Sequence, residues 1–395
     1  MQRARLSERF FTRTRKISFP DIMKFFMDMN KTSLQTRLND FFKKNIGGKP
    51  MSQQAFSEMR SHFNHYPFEA TFRALVAEEY SGKYELPTFH GYNVLADDGS
   101  YLKLPNTAEL RDIYGTRGPG ERASAGISIL YDVLHGWPLD PIITSCDMNE
   151  REICKQHLVY LREQMPQLYG KILLLLDRGY PSQDLLNELQ NSGIKYLVRC
   201  AKNYCTEVQT APMGDSLVIL KNGILVRVYK FVLPSGEVET LLTNLFDEPA
   251  EIFPDLYAMR WGIETMYSLL KNTLLVENFS GRTQNTVLQD FWVTMVFMAM
   301  AAVFQNEADA VVVKVRKGKK NKHIYKANTS DLIVTLRNEY ILATFFENKA
   351  LAAAKTHEVI LTMARSVIPI RPRRSAPRSK DKHKKPINLN HKSHL

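Results

Sequence analysis

Apolar residues fall into helix-like groups up to about residue 85 and into strand-like runs from residue 91 onward. The first region reads as helices that start at Pro20, at Thr32/Ser33, at Ser52 ahead of Gln-Gln-Ala-Phe-Ser-Glu-Met, and at Pro67. It predicts a helical domain over residues 1–88, basic at its front, for which DNA binding is the expected role. Beyond it, residues 91–100, Ser124 to Val133 and Leu139 to Ser145 read as strands of an antiparallel meander, the last two joined by Leu134-His-Gly-Trp-Pro138.

A helix is expected from about Glu150 to Gln164. Lys171-Ile-Leu-Leu-Leu-Leu-Asp177 follows, five apolar residues closed by Asp-Arg-Gly, as in a central strand buried on both faces. Pro181 opens a helix through Gln190 that Gly193 closes, and Ile194 to Val198 reads as the next strand. Three antiparallel strands, helix, strand, helix, strand and a later long helix is the order of a ribonuclease H-like α/β fold, a mixed sheet with flanking helices. Turns at Pro212-Met-Gly-Asp, Lys221-Asn-Gly and Pro234-Ser-Gly mark a β-rich insertion at about 199–239. The long helix begins near Pro254. Helices at about Leu288 to Gln305 and Ser330 to Phe346 complete a catalytic domain spanning 89–365.

The long helix carries the chain's most specific spacing. At about 100° per residue, Arg260, Glu264 and Lys271 fall near 300°, 340° and 320° from Tyr257, within roughly 60° of arc. One face thus presents a phenol, a carboxylate and two cations, while Met259, Ile263, Met266 and Leu270 form a neighbouring apolar arc that packs the helix. The Arg260/Glu264 pair alone is common on helix surfaces; the full four-residue spacing is not.

Two further carboxylates stand at expected strand ends, Asp98 before Gly99 and Asp177 before Arg178-Gly-Tyr180. Phosphodiester chemistry needs an activated oxygen nucleophile and a stabilised leaving oxygen, which two divalent ions about 3.5–4 Å apart supply. Mg²⁺ prefers oxygen ligands and keeps several waters, so two or three carboxylates suffice. Strand alternation puts Asp97 and Asp98 on opposite faces and does not say which one faces the site.

The formal charge is +12, unevenly spread. Residues 366–395 hold nine Lys or Arg against one acid, Asp381, and read as a basic disordered tail. A second run, Lys314 through Lys317, Lys319 and Lys320 to Lys326, has no acid and fits a polyanionic partner. Cys146, Cys154, Cys200 and Cys205 match neither a disulfide framework nor a zinc site. The sequence shows neither a secretory signal core nor an apolar run near the roughly 18 residues of a membrane span, so a cytoplasmic protein without membrane contact is expected.

Asp98-Gly-Ser, Asp177-Arg-Gly-Tyr180 and the Tyr257, Arg260, Glu264, Lys271 set together resemble the DDE insertion-sequence transposases with the YREK signature, the insertion-sequence-four family. The resemblance covers about residues 90–305. It implies cleavage at the ends of a mobile element and joining of the freed 3′-hydroxyl to target DNA. Asp98, Asp177 and Glu264 would hold Mg²⁺, or Mn²⁺ in its place. Tyr257, Arg260, Lys271, Arg178, Lys317, Lys319 and Lys320 would contact DNA, terminal inverted repeats and target alike, in a homodimeric synaptic complex. The family uses the acid before the glycine, which favours Asp98 with Asp97 as the fallback. Members known for a hairpin route stack an aromatic of the β insertion on a flipped base; here Trp137, Trp261 and Trp292 all lie outside it, leaving Tyr204, Tyr229 or Phe231. Two other readings fit the same residues: a catalytically idle DNA-binding regulator, and a metal-dependent nuclease without strand transfer.

Overall fold

The computed structural model describes residues 2–12, 16–28, 32–118, 120–201, 203–320, 322–337 and 349–370. The chain separates into two compact units, Val76–Leu269 and the combination of Met1–Leu75 with Leu270–Leu395.

The Val76–Leu269 unit is built on one eight-stranded sheet: β1 (Asn93–Lys103), β2 (Ser124–Asp132), β3 (Trp137–Ser145), β4 (Ile172–Leu176), β5 (Lys195–Arg199), β6 (Gly214–Ile219), β7 (Leu225–Val232) and β8 (Val238–Thr243). Their spatial order is β3-β2-β1-β4-β5-β8-β7-β6. β1 pairs antiparallel with β2 and parallel with β4, and β4 runs parallel to β5. This is the mixed sheet of a ribonuclease H-like fold. β4 occupies its middle, and all five of its residues, Ile-Leu-Leu-Leu-Leu, are buried, as a strand covered on both faces requires. The stretch expected as an insertion extends this same sheet: β8 pairs with β5, and β7 and β6 add to it as an antiparallel meander.

Helices cover the sheet where local signals place them. Glu150–Gln164 is capped by the Asn149 side chain and buries Ile153, Cys154, His157, Leu158 and Leu161, a stripe at helical spacing. Gln183–Asn191 is capped by Ser182 and buries Leu185, Leu186 and Leu189. Ala108–Tyr114, capped by Thr107, is a short helix that the strand-dominated reading of this region lacks.

The long helix after Pro254 is not continuous. It runs as Phe253–Ala258 and Trp261–Ser268, followed by a π-helical turn over Leu269–Thr273. Between the two helices the bonds tighten to three-residue spacing, Met259 N–H to the Leu256 carbonyl and Arg260 N–H to that of Tyr257. A uniform 100° step therefore does not hold along the whole stretch from Tyr257 to Lys271.

The other unit holds the helices Phe19–Met27, Leu34–Phe41 and Gln53–Arg60; Ser33 and Ser52 cap the last two as expected, while the first, expected to start at Pro20, is capped two residues earlier by Ser18, with Pro20 in its first turn. Phe25, Phe26, Phe56, Phe63 and Phe68 form an aromatic cluster between them. Gln284–Arg316 extends well beyond the expected 288–305. Contrary to the sequence expectation, it is long and apolar enough to cross a membrane; 83% of its most apolar window is nevertheless buried inside the protein. The expected tail begins with an ordered strand, β10 (Val367–Ile370), paired with β9 (Ile324–Ala327). Residues 371–395 and most of the end of the expected 330–346 helix lie outside the described residues.

Candidate active site

Register sets the site. In the parallel β1/β4 ladder Asp97 lies opposite Leu176, the last paired position. The next residues on the two strands are Asp98 and Asp177. Neighbouring residues in parallel register point to the same face, so Asp98 and Asp177 fall on one face of adjacent strands, roughly 5 Å apart in backbone spacing; Asp177 follows the end of β4 as expected, but Asp98 does not close its strand, because pairing with β2 carries β1 on to Lys103. β1 continues beyond this point paired with β2 only, which opens the sheet beside Asp98.

The same alternation separates Asp97. It is fully buried on the opposite face, where its Oδ1 accepts the Ser128 hydroxyl at 2.8 Å and lies 3.7 Å from His157 Nε2. His157 in turn bonds Asp140 through Nδ1 at 2.7 Å and Ser128 through Nε2 at 3.0 Å. Burial pushes the Asp97 carboxyl up, against the pull of His157 and Ser128. Asp97 thus belongs to a core network, with its Oδ2 buried and unbonded, and Asp98, half-buried, faces the site.

Arg260 joins the acids. Its guanidinium places Nη1 3.5 Å from Asp98 Oδ2 and Nη2 2.6 Å from Glu264 Oε1. Burial opposes its charge, but Tyr257, Asp177, Glu264 and Asp98 around it raise its proton affinity further. Nε and Nη1, both buried, make no hydrogen bond. Tyr257 donates its hydroxyl to Asp177 Oδ1 at 3.3 Å, and burial keeps it a neutral phenol. Four of the expected residues from two strands and one broken helix, Asp98, Asp177, Arg260 and Glu264, with Tyr257 at their side, therefore share one place. Asp98 is pushed to about 7, by burial first, with Glu150, Asp177 and Asp97 adding to the rise and Arg260 opposing it.

Other expected residues stand elsewhere. Arg178 is exposed in the loop that follows β4. Lys271 lies in the π-helical turn and belongs to the other unit, as do Lys317, Lys319 and Lys320, all exposed just past the Gln284–Arg316 helix. Of the insertion aromatics, Tyr229 and Phe231 stack on each other, and Tyr229 also meets the edge of Phe253.

Several residues around the site escaped the sequence reading. Tyr267 donates its hydroxyl to the Asp98 carbonyl at 2.7 Å. It sits three residues after Glu264, a spacing that shares a helix face and could have flagged it. Arg199, at the end of β5, pairs with Glu239 at 2.9 Å, and both act electrostatically on Tyr257. Glu150, first residue of the Glu150–Gln164 helix, carries its carboxylate to the glycines beside the two aspartates; no local pattern announces that.

The donors suit a hard divalent ion, being carboxylate oxygens at two half-open strand ends. Gly99 and Gly179 make room for the Glu150 carboxylate: a Cβ at Gly99 would come within 2.5 Å of Glu150 Oε1, and one at Gly179 within 3.3 Å of Oε2. Among the described residues no three acidic, His or Cys side chains are gathered tightly enough to ligate one ion as they stand, and Glu264 is held instead by Arg260.

A piggyBac transposase synaptic complex with hairpin DNA, seen by cryo-EM, is similar at 14% identity and a TM-score of 0.49, over 95% of this chain and 82% of that one. The crystal structure of the Mos1 mariner paired-end complex with Mn is similar at 10% identity and a TM-score of 0.20, over 48% of this chain and 61% of that one. No curated protein matches the sequence. The family model described as transposase DDE domain matches residues 90–301, which take in β1, β4 and the whole Tyr257–Glu264 stretch. As that match spans more than half of the 395 residues, the chain belongs to the transposase DDE-domain family.

Proposed function

We propose that this protein cleaves the ends of a mobile DNA element and joins their 3′-hydroxyl ends to target DNA, in the manner of the insertion-sequence-four transposases with the YREK signature. The observation that carries this reading is the position of Asp98 and Asp177 one residue beyond the last β1/β4 pair, Asp97 with Leu176, with Arg260 set between Asp98 and Glu264. Asp98, Asp177 and Glu264 are the metal ligands, for Mg²⁺ with Mn²⁺ as a substitute. When bound, two such ions supply the activated oxygen nucleophile and stabilise the leaving oxygen.

The chain's own groups bind and orient the DNA. A phosphate gripped in bidentate fashion along the Nη1/Nη2 edge of the Arg260 guanidinium would take the place that Asp98 and Glu264 now hold. Such a phosphate frees Glu264 from its ion pair for the metal site. Tyr257, a neutral phenol, orients Asp177 or a phosphate oxygen. Arg178, Lys271, Lys317, Lys319 and Lys320 contribute phosphate contacts outside the reacting centre. Joining two ends calls for two copies, and a homodimer is the assembly we expect.

The test is incubation of purified protein with labelled DNA from the flanks of its reading frame and Mg²⁺. Joined products are expected. Bound but uncut DNA would indicate an idle regulator, and cut but unjoined DNA a nuclease. Glu264→Gln should keep DNA binding and lose cleavage by at least about a hundredfold, given that even the outer partners of metal ligands are worth 10–100-fold; unchanged cleavage refutes the role of Glu264.

A further inference from the structure

The helices Phe19–Met27, Leu34–Phe41 and Gln53–Arg60 close a small core of their own. Phe25 meets the Phe41 ring at 5.5 Å and the Phe56 ring at 4.6 Å, so one aromatic joins all three. The last two helices are connected by a π-helical turn over Phe42–Ile46 and by Gly47 and Gly48, whose φ of 80° and 70° bring the chain around. Gln35, in the first turn of Leu34–Phe41, clamps the entry to the next helix. Its Oε1 accepts the Gln53 N–H at 2.9 Å, and its Nε2 donates to the Met51 carbonyl at 3.2 Å. At the far end of that helix, Arg60 is tied to Gln289 and Asp290. Two successive helices joined by a glycine turn and packed on a third form a helix-turn-helix arrangement.

The Gln53–Arg60 helix has two unlike faces. Phe56, Met59 and Arg60 are buried. At about 100° per residue Gln53, Ser57, Gln54 and Glu58 follow one another over roughly 140° of arc on the other side, and all four are exposed. That side has no aromatic, arginine or large aliphatic residue of the kind that anchors a protein interface, and no cation of its own. It carries two amides, a hydroxyl and a carboxylate, which are the groups that match base edges. Gln pairs in bidentate fashion with adenine N6 and N7, and Glu accepts from cytosine N4. Cations stand in the connection instead, where Lys43, Lys44 and Lys49 are exposed. Lys49 comes three residues before the cap Ser52, so chain length alone keeps it within about 11 Å of the helix start, against a major groove about 12 Å wide. Polar base-matching groups on one helix, with lysines just before it, suit duplex DNA.

We propose that the solvent face of the Gln53–Arg60 helix reads base edges in the major groove of the element's terminal DNA, with Gln54 taking an adenine and Glu58 a cytosine, while Lys43, Lys44 and Lys49 hold phosphates. The inference rests on the transposase reading above and adds to it the surface that selects the terminal sequence. Phosphate contacts position a protein on DNA and base contacts specify the sequence, so the two sets of residues separate by experiment.

Fluorescence anisotropy of labelled duplex from the flanks of the reading frame, titrated with full-length protein in chelator, follows binding without cleavage. Scrambled duplex and duplexes altered at single base pairs complete the set. The wild type should prefer terminal to scrambled DNA. Gln54→Ala should weaken terminal binding at least about fivefold, leave scrambled binding unchanged and lose discrimination at one A·T pair; Glu58→Gln should do the same at one C·G pair. Lys49→Gln should weaken both duplexes alike and make the slope of log affinity against log salt shallower by about one. All three residues are exposed, so the unfolding midpoints should stay at the wild-type value. Wild-type preference in both Gln54→Ala and Glu58→Gln, or a loss shared equally with scrambled DNA, overturns the role of this face. If the wild type then still cleaves terminal DNA in Mg²⁺, the transposase reading stands and the face is left to a protein partner. A wild type that neither prefers nor cuts terminal DNA overturns both.

Discussion

Asp98 and Asp97 show how one position decides a residue's role. Both are aspartates on one strand, yet one is sealed in a network with Ser128, His157 and Asp140 and the other opens onto Arg260. Sequence alternation states that they differ and leaves open which is which; the choice comes from register against β4, a long-range property that no local window contains. Asp98 also has a pH signature. Its carboxyl sits at about 7, raised mainly by burial, against roughly 3.9 in an unfolded chain. Between about pH 4 and pH 7 the folded state holds a proton that the unfolded state has released, so stability falls as pH rises through that window. In chelator, the unfolding midpoint of the wild type should therefore drop more from pH 5 to pH 8 than that of Asp98→Asn, and Mg²⁺ should restore it at pH 8 but not at pH 5. Equal pH slopes for the two proteins would show that Asp98 is not so perturbed.

Elements were legible where a local rule governs them. Ser33 and Ser52 each cap the helix that their sequence context predicts, Pro20 stands in the first turn of the helix it announces, and the Ile-Leu-Leu-Leu-Leu run bounded by Lys171 and Asp177 is the buried central strand it reads as. The break at Met259–Arg260 was not read from the sequence, because the apolar arc from Met259 to Leu270 fits an unbroken helix and Gly262, which shares in the three-residue bonding, is tolerated inside a helix. The packing of Gln284–Arg316 was equally hidden. Arg60, 4% exposed, bonds Gln289 Oε1 at 2.6 Å, Ser280 Oγ at 2.6 Å, the Thr286 carbonyl at 2.8 Å and Asp290 Oδ1 at 2.9 Å, partners more than 200 residues away. Removing one member of such a pair strands the other charge, at a cost of about 3–5 kcal/mol. Arg60→Met should lower unfolding free energy by about that amount in denaturant titration, and a loss below about 1 kcal/mol would mean that Asp290 finds water instead.

For the whole molecule, the order of strands and helices was enough to place the fold, because a central strand and its crossovers leave few ways to close a mixed sheet. It did not tell that the meander of β6 to β8 widens that sheet, nor that a helix apolar enough to cross a membrane is largely buried within the protein. Both depend on partners far along the chain. Charge was legible in amount but not in place: Lys317, Lys319 and Lys320 lie in one unit and Arg260 in the other. The central claim concerns the strand ends, and diffraction from crystals soaked in Mn²⁺ addresses it most directly. We expect an anomalous peak within direct coordination distance of carboxylate oxygens from both Asp98 and Asp177. Ordered protein with no Mn²⁺ at those residues, or with Mn²⁺ bound only elsewhere, would contradict the account.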